Sequence, residues 1–457
     1  MKHFLSLFIL ASASALFAQS NDAPQLSARL IENNPAAVLA EARSTPAATA
    51  PEVPRKEHFF NGPDAPQLLG DYNGWRSTLA RNGVQFTGYW TGIASGNPTG
   101  GLKPGHTTTV DDTFIVANLD LNLLAHLKHA GLQLSFIDRG RGLSNEYIGG
   151  QYNVQQCVGG QAPFFYQMFF QQQFDKGHLI YKAGRMSASD DMNASPFYGL
   201  YLNNGFDGDI RNVLFDTQSS AYPFPTWGGY LRANLSKQVY FKTAIFQTTA
   251  GVFDSSKHGL DWAIHDGDSA ITMNEIAWTP TWKSGTGSDA KELPGHYWLG
   301  STFTPWKGFS QFLSTQKAGD SYGFYVHADQ MLYRPSPNSK ANTSFWAAAA
   351  YYPQQNIAIV PIQINVGLVD QGRFGHRSED KTIFGFIYGQ FSRDYAQKIV
   401  AQGKGNPTHE MVVELAHRIQ VAKHTFFQPD MQWDLRPAGT GRIANALALG
   451  AEVGITF

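Results

Sequence analysis

The chain is short of cysteine, of charge and of long apolar runs. Its single cysteine, Cys157, allows no internal disulfide. That argues against a small secreted scaffold held by staples. Only 16% of residues are charged, which is low for a soluble domain. Neither sign dominates: 36 acidic residues face 35 basic ones, a balance that argues against a nucleic-acid-binding surface. After the N-terminus no apolar stretch approaches the roughly 20 residues that a membrane-spanning helix needs. The densest, Phe345 to Tyr352, is far shorter.

The N-terminus sets the compartment. Lys2 and His3 precede an apolar run from Phe4 to Leu10, followed by small residues from Ala11 to Ala15 and then Leu16, Phe17 and Ala18. This is the form of a secretory signal peptide over 1–18, cleaved after Ala18 or, alternatively, Ala15. Residues 19–57 are rich in Ala and Pro and read as a flexible periplasmic extension, with a short helix around 28–39. About 400 residues remain for the body of the protein, 58–457, enough for a large barrel.

That body opens with a short amphipathic helix. Asp71 is placed to cap it, Gly74 to Ala80 form it, and Gly83 stops it. Segments of period-two alternation follow, separated by turn residues. The expected strands are 84–94, 112–124, 131–138, 164–174, 178–186, 228–236, 238–248, 269–279, 295–303, 321–333, 343–353, 360–368, 381–393, 408–418, 420–433 and 443–457. The polar stretches 95–111, 139–163, 187–227 and 250–268 are expected as loops.

The last strand carries the clearest signal. Leu447, Leu449, Ala451, Val453, Ile455 and Phe457 take one face, and Ala448, Gly450, Glu452, Gly454 and Thr456 the other. Met411, Val413, Leu415 and Ile419 alternate in the same way with Val412, Glu414, Arg418 and Gln420. Ile362, Ile364, Val366 and Leu368 alternate with Pro361, Gln363, Asn365 and Gly367. The same alternation would arise in a soluble sandwich with the apolar face in its core. Polar faces that carry Arg, Glu and Gln strand after strand suit a wet lumen, so the expected fold is an all-β, transmembrane antiparallel barrel of about 16 strands. Gly is abundant at 45 residues and aromatics reach 13%, which suits close turns and aromatic girdles. Tyr89, Trp90, Tyr230, Trp298, Tyr333 and Trp433 are the girdle candidates. In 178–186 the alternation fails, because Lys182 and Arg185 fall on opposite faces.

Enzymatic signatures are missing. His409, Glu410 and His417 lack the HExxH spacing, and no G-x-S-x-G elbow stands out. His258, Asp261, His265 and Asp266 share a turn-rich stretch, yet no metal and no cofactor is expected.

Three fragments carry a family resemblance. LLGDYNGWRSTLARNGVQFTGYWTG at 68–92 contains Gly70, Asp71, Gly74, Arg76, Leu79 and Gly83 in a Gly-Asp-aromatic-x-Gly helix before the first strand. YKAGRMSASDDMNASP at 181–196 has Gly-Arg followed by Asp and small residues. ELAHRIQVAKHTFFQPDMQWDLRPAG at 414–439 has a Gln-Pro-Asp-x-Gln strand and a Pro-Gly turn. In order, these resemble the carbohydrate-selective porins of the OprB type. One departure is Ala416-His417, where the family carries Tyr. The resemblance implies a sixteen-stranded barrel in the outer membrane of a Gram-negative bacterium, passing glucose and similar saccharides. It also implies Phe457 as a signal for the barrel assembly machinery, with outer-membrane lipids and lipopolysaccharide around a monomer or trimer. The alternatives are a secreted or periplasmic carbohydrate-binding β-protein and a barrel for polysaccharide export.

A diffusion channel needs polar groups that replace water around sugar hydroxyls, and aromatic faces that stack on a pyranose. The candidates for lining the lumen are Arg139, Arg141, Arg185, Asp190, Asp191, Arg211 and Glu275, with Trp227 and Tyr230 for stacking.

Overall fold

The computed structural model describes residues 66–457 except 141–144, 158 and 374–376. The expected signal peptide 1–18, the extension 19–57 with its helix at 28–39, and the candidate Arg141 lie outside the described residues.

Sixteen antiparallel strands close into a barrel. They are β1 Val84–Thr99, β2 His106–Asp120, β3 Ala130–Arg139, β4 Pro163–Phe174, β5 Leu179–Met186, β6 Thr226–Asn234, β7 Val239–Thr248 and β8 Ser269–Trp278. The second half is β9 Lys291–Thr304, β10 Ser321–Tyr333, β11 Asn342–Tyr351, β12 Ile362–Gln371, β13 Lys381–Gln390, β14 His409–Ala422, β15 Thr425–Leu435 and β16 Ala446–Thr456. A short piece, Thr281–Ser284, continues β8 past a break and pairs only with the first residues of β9. Each strand pairs with its sequence neighbour, and β16 pairs back onto β1, Tyr89 opposite Thr456. Full closure leaves no edge, which is what a sheet in hydrocarbon requires. At the seam the Gly88 and Phe457 backbones exchange two hydrogen bonds of 3.1 and 2.9 Å.

The alternation expected from sequence is the alternation observed. Leu415 is 44% exposed on the outer face while its neighbour Glu414 is 0% exposed inside. Leu299, Phe324, Ile364, Phe384, Met431 and Leu449 join Leu415 on the apolar exterior. The girdle expectation divides. Trp433 and Tyr333 are exposed, but Tyr89, Tyr230 and Trp298 fall on inward positions, Tyr89 half-buried and the other two buried. Tyr89 stacks on Phe114 at 5.0 Å inside the barrel.

All sixteen expected segments overlap strands, with one large boundary error. Residues 95–111 were expected as a loop, yet β1 and β2 run on until only 100–105 link them. Ser95, Gly96 and Asn97 pair with Thr108, Thr107 and His106. The ladder continues above the apolar belt, so polarity there marks exposure to water and not the end of a strand. The irregular 178–186 is also explained. Gly184 sits at φ +149°, and the register between β3 and β4 shifts between Ser135 and Phe136. A Cβ at position 184 would lie 2.2 Å from the Met168 carbonyl oxygen, so only glycine fits there. Lys182 faces Tyr230 and Arg185 faces Trp227, three positions apart, hence on opposite sides of the sheet.

The opening helix, α1 Trp75–Arg81, is held by Asp71. Its carboxylate accepts from the Ser77 backbone N–H and hydroxyl, both at 2.6 Å. Other short helices are α2 Leu121–Ala125, α3 Asn145–Ile148, α4 Arg211–Thr217 and α5 Arg393–Ala401. The links divide by rim. Turns such as 235–238 and 423–424 lie on the rim of the first strand's start, while 140–162, 187–225, 249–268 and 391–408 lie on the opposite one. Short periplasmic turns and long outer loops are the pattern of outer-membrane barrels.

Leu415→Arg is expected to destabilise the folded barrel by about 2–4 kcal/mol, because it sets a charge on the lipid face. Urea unfolding in phospholipid bilayers measures it, with Leu415→Ile as the control that stays near wild type.

Candidate functional site

Two of the long outer loops, 140–162 and 187–225, bend into the barrel. Tyr152, Met192, Tyr198, Leu200, Tyr201, Phe206, Ile210 and Val213 from these loops are buried against inward side chains of the wall. Those wall residues include Phe169 of β4, Tyr230 of β6, Trp346 of β11, Ile383 of β13 and Val412 of β14. The lumen therefore contains an apolar core along one arc.

Irregular backbone at this depth must find hydrogen-bond partners. The inward polar residues of the wall supply them. Glu414 accepts from the Leu202 and Asn203 N–H groups at 2.7 and 3.1 Å. Glu410 accepts from Gln151, Tyr152 and Ala438 N–H groups at 2.7, 3.0 and 2.6 Å. Gln363 and Asn365 both donate to the Gly205 carbonyl, and Gln363 accepts from the Asn212 N–H. Gln428 and Gln432 donate to the Leu200 and Val154 carbonyls.

The candidates from sequence fall into three places. Asp190, Asp191, Glu275 and Tyr230 come together with two lysines. Lys182 donates to Asp191 at 2.6 Å and lies 5.3 Å from the centre of the Tyr230 ring. Lys242 bridges the Asp191 carbonyl at 2.8 Å and Glu275 at 2.9 Å. Glu275 also accepts from the Asn193 N–H and the Tyr325 hydroxyl. Asp190 accepts from the Tyr166 hydroxyl and the Gln167 amide. In this loop, outside the spanning strands, burial pushes the Asp190 carboxyl up to about 7, against the Tyr166 hydrogen bond. The whole group is buried and fastens the start of loop 187–225 to β4–β8.

Arg139 and Arg211 belong to a second group. Arg139 donates to Asp112 at 3.3 Å and to the Gly159 carbonyl at 3.1 Å, under the Tyr222 ring at 4.5 Å. Tyr222 completes the pair by donating to Asp112 at 2.8 Å. Arg211, at the start of α4, lies in the field of Asp209, Arg139 and Asp207. Asp207 in turn lies in the field of Glu452, Arg139, Arg418 and Asp112. Arg418 and Glu452 are themselves paired at 3.4 Å, and Gln156 donates to Glu452. Asp207 and Arg211 are partly exposed and Gly208 between them is exposed. The loop tip thus keeps access to water and lies in the field of charged groups on β2, β3, β14 and β16.

Arg185 and Trp227 occupy the third place, on the outer side of the sheet. Arg185 donates to the Pro225 and Gly259 carbonyls at 2.9 and 3.3 Å, and the Trp227 indole donates to the Trp262 carbonyl. Loop 249–268 covers them, so they join neither lumen group. His258 and His265 lie in the same loop. Among the described residues no group of three or more His, Cys, Asp or Glu side chains is arranged to hold a metal.

Sequence reasoning missed Asp112, Asp207, Asp209, Arg418 and Glu452 as one cluster. Arg418 and Glu452 were legible as inward residues from the alternation of β14 and β16. Their meeting across β15 was not.

Comparison with known proteins gives the same picture. Porin B of Pseudomonas aeruginosa is 24% identical over 430 residues, covering 86% of this chain and 92% of that protein. A putative porin, QuiX, of Acinetobacter baylyi is 22% identical over 427 residues, covering 87% of this chain and 94% of that protein. The high-pH structure of Pseudomonas putida OprB superimposes with a TM-score of 0.79 at 22% identity, covering 88% of this chain and all of that one. The low-pH structure gives a TM-score of 0.57 at 19% identity. Residues 106–457 match the carbohydrate-selective porin family, OprB. With a closed barrel, an apolar exterior and a lumen narrowed from within, the chain is an outer-membrane channel of a Gram-negative bacterium, not an enzyme, and belongs to the OprB family of carbohydrate-selective porins.

Proposed function

We propose that the channel passes small neutral saccharides such as glucose by passive diffusion, through a lumen narrowed by loops 140–162 and 187–225. The observation that carries this reading is the mixture of charges around the solvent-reached tip of loop 187–225. Partly exposed Asp207 and Arg211 flank the exposed Gly208, beside buried Asp209 and within the field of the buried Arg139–Asp112 and Arg418–Glu452 pairs of the wall. Interleaved charges of both signs give directional bonds to hydroxyls of a neutral solute. They set up little net field to draw an ion of one sign. A solute that trades water for several such bonds enters readily, and leaves again because each bond is weak.

The reading as a secreted or periplasmic binding protein falls with the lipid-facing exterior. No particular contact favours polysaccharide export. Phe457 at the seam is retained as the residue read by the barrel assembly machinery. Lipopolysaccharide is retained as a neighbour of the outer rim, around a monomer or trimer.

Liposomes holding the mature protein are expected to swell faster with glucose than with size-matched uncharged solutes. Swelling that tracks size alone would overturn saccharide preference and leave a general pore. Arg211→Ala is expected to reduce the glucose advantage about two- to ten-fold, the net worth of one hydrogen bond made in water. It should also move the zero-current potential in a salt gradient toward cation selectivity. Glu414→Ala strips the acceptor from two buried N–H groups, at a cost of about 1–3 kcal/mol for each group. Higher and noisier single-channel conductance is expected, with passage of larger oligosaccharides, and Glu414→Gln should restore part of the wild-type behaviour.

A further inference from the structure

Below loop 187–225, toward the periplasmic ends of β6, β7, β9 and β10, lies a cluster that the constriction does not use. Its centre is Asp329, opposite His296 in the register of β9 and β10. The Asp329 side chain is 13% exposed and that of His296 is 26% exposed, while His327 beside them is 0% exposed. His327 Nε2 donates to Asp329 Oδ2 at 2.9 Å, which leaves Nδ1 as the acceptor for the Tyr198 hydroxyl at 2.8 Å. Tyr198 belongs to the inward loop, so this chain of bonds tethers the loop to the wall.

The tether accounts for His327 and for one oxygen of Asp329. It does not account for the rest. Asp329 Oδ1 has no hydrogen-bond partner among the described residues. His296 Nδ1 approaches Asp329 Oδ2 only to 3.8 Å, and its Nε2 lies 2.6 Å from the Tyr240 hydroxyl. Among the described residues neither His296 nor Tyr240 hydrogen-bonds to the inward loop. The Arg232 guanidinium lies over the Tyr240 ring at 4.0 Å, which brings a cation to the same rim. Trp298 packs beneath, 4.8 Å from the His296 ring and 3.8 Å from the His327 ring. A partly exposed carboxylate with one oxygen left unbonded, an adjoining imidazole and an aromatic bed are what a vicinal diol of a sugar ring engages.

We propose that Asp329 and His296, rimmed by Tyr240 and Arg232, form a second saccharide subsite on the periplasmic side of the inward loop. The proposal rests on the saccharide reading of the channel. The subsite accepts hydroxyls through Asp329 Oδ1 as the solute clears the loop. It thereby replaces bonds lost at the constriction before the solute is fully rehydrated. Two weak sites in series hold the solute less tightly than one strong site, which favours throughput.

The test uses the full-length mature protein inserted in one orientation in planar bilayers. Glucose-dependent block of the ion current is titrated from each chamber, with rates taken from the current noise. In Asp329→Asn and in His296→Ala, the half-blocking concentration from the periplasmic chamber should rise roughly two- to ten-fold, the worth of one hydrogen bond. Block from the outer chamber should stay at its wild-type value. His296→Ala leaves the Tyr198 tether in place, so it separates binding from loosening of the loop. A periplasmic block unchanged in His296→Ala overturns the subsite, as does a shift of equal size from both chambers. A wild-type channel that glucose fails to block from either side overturns the saccharide reading itself.

Discussion

The narrowed lumen depends on one kind of contact: a side-chain carboxylate or carboxamide of the wall bonded to the backbone of an inward loop. Glu414, Glu410, Gln363, Asn365 and Gln428 meet loop N–H or C=O groups that no strand could pair. Without them, 140–162 and 187–225 would carry unsatisfied peptide groups into the barrel and would remain outside it. With them, the loops bring along a buried apolar core that includes Tyr152, Tyr201 and Phe206. Trp346 shows how closely the two are joined. Its indole donates to the Tyr201 hydroxyl, which donates onward to the Phe384 carbonyl of the wall.

The same contacts determine where solute goes. Loop and wall fuse along the arc from β4 to β14, where Lys182, Lys242, Asp191 and Glu275 satisfy one another in a buried network. Charge used in this way does not reach the solute. The Arg139–Asp112 and Arg418–Glu452 pairs are buried in the same way, so the charges left for the passage are the partly exposed Asp207 and Arg211 of the loop tip. A count of acidic residues on inward positions therefore overstates the field in the open lumen. Glu410 and Glu414 are entirely covered.

The strands were legible because their signal is local. Leu449 and Val453 alternate with Gly450 and Glu452 in any window of a few residues, and period two needs no distant partner. The inward position of Glu414 and Gln363 was legible for the same reason. What these residues touch was not. Glu414 meets Leu202, 212 residues earlier, and no periodicity links the two segments. Arg185 shows the opposite failure. Its sequence setting, a Gly-Arg before two aspartates, suggested the lumen, but it lies three positions from the inward Lys182 in an unbroken register and so points outward beneath loop 249–268. Helix α4 was hidden because it is only seven residues long inside an irregular loop, and it is held by contacts such as Asn212 with Gln363.

The spacing of these contacts along the chain bears on the order of assembly. The loops belong to the first half of the sequence, and their anchors Glu410, Glu414, Gln428 and Gln432 belong to β14 and β15 near its end. Until those strands join the sheet, the peptide groups of 151–152 and 202–203 have no acceptor. An unfinished barrel thus holds loop 187–225 at its start, through β4–β8, but leaves the 151–152 and 202–203 peptide groups unanchored. The last strands both shut the wall and draw the loops in, so size exclusion and completion of the barrel arrive together.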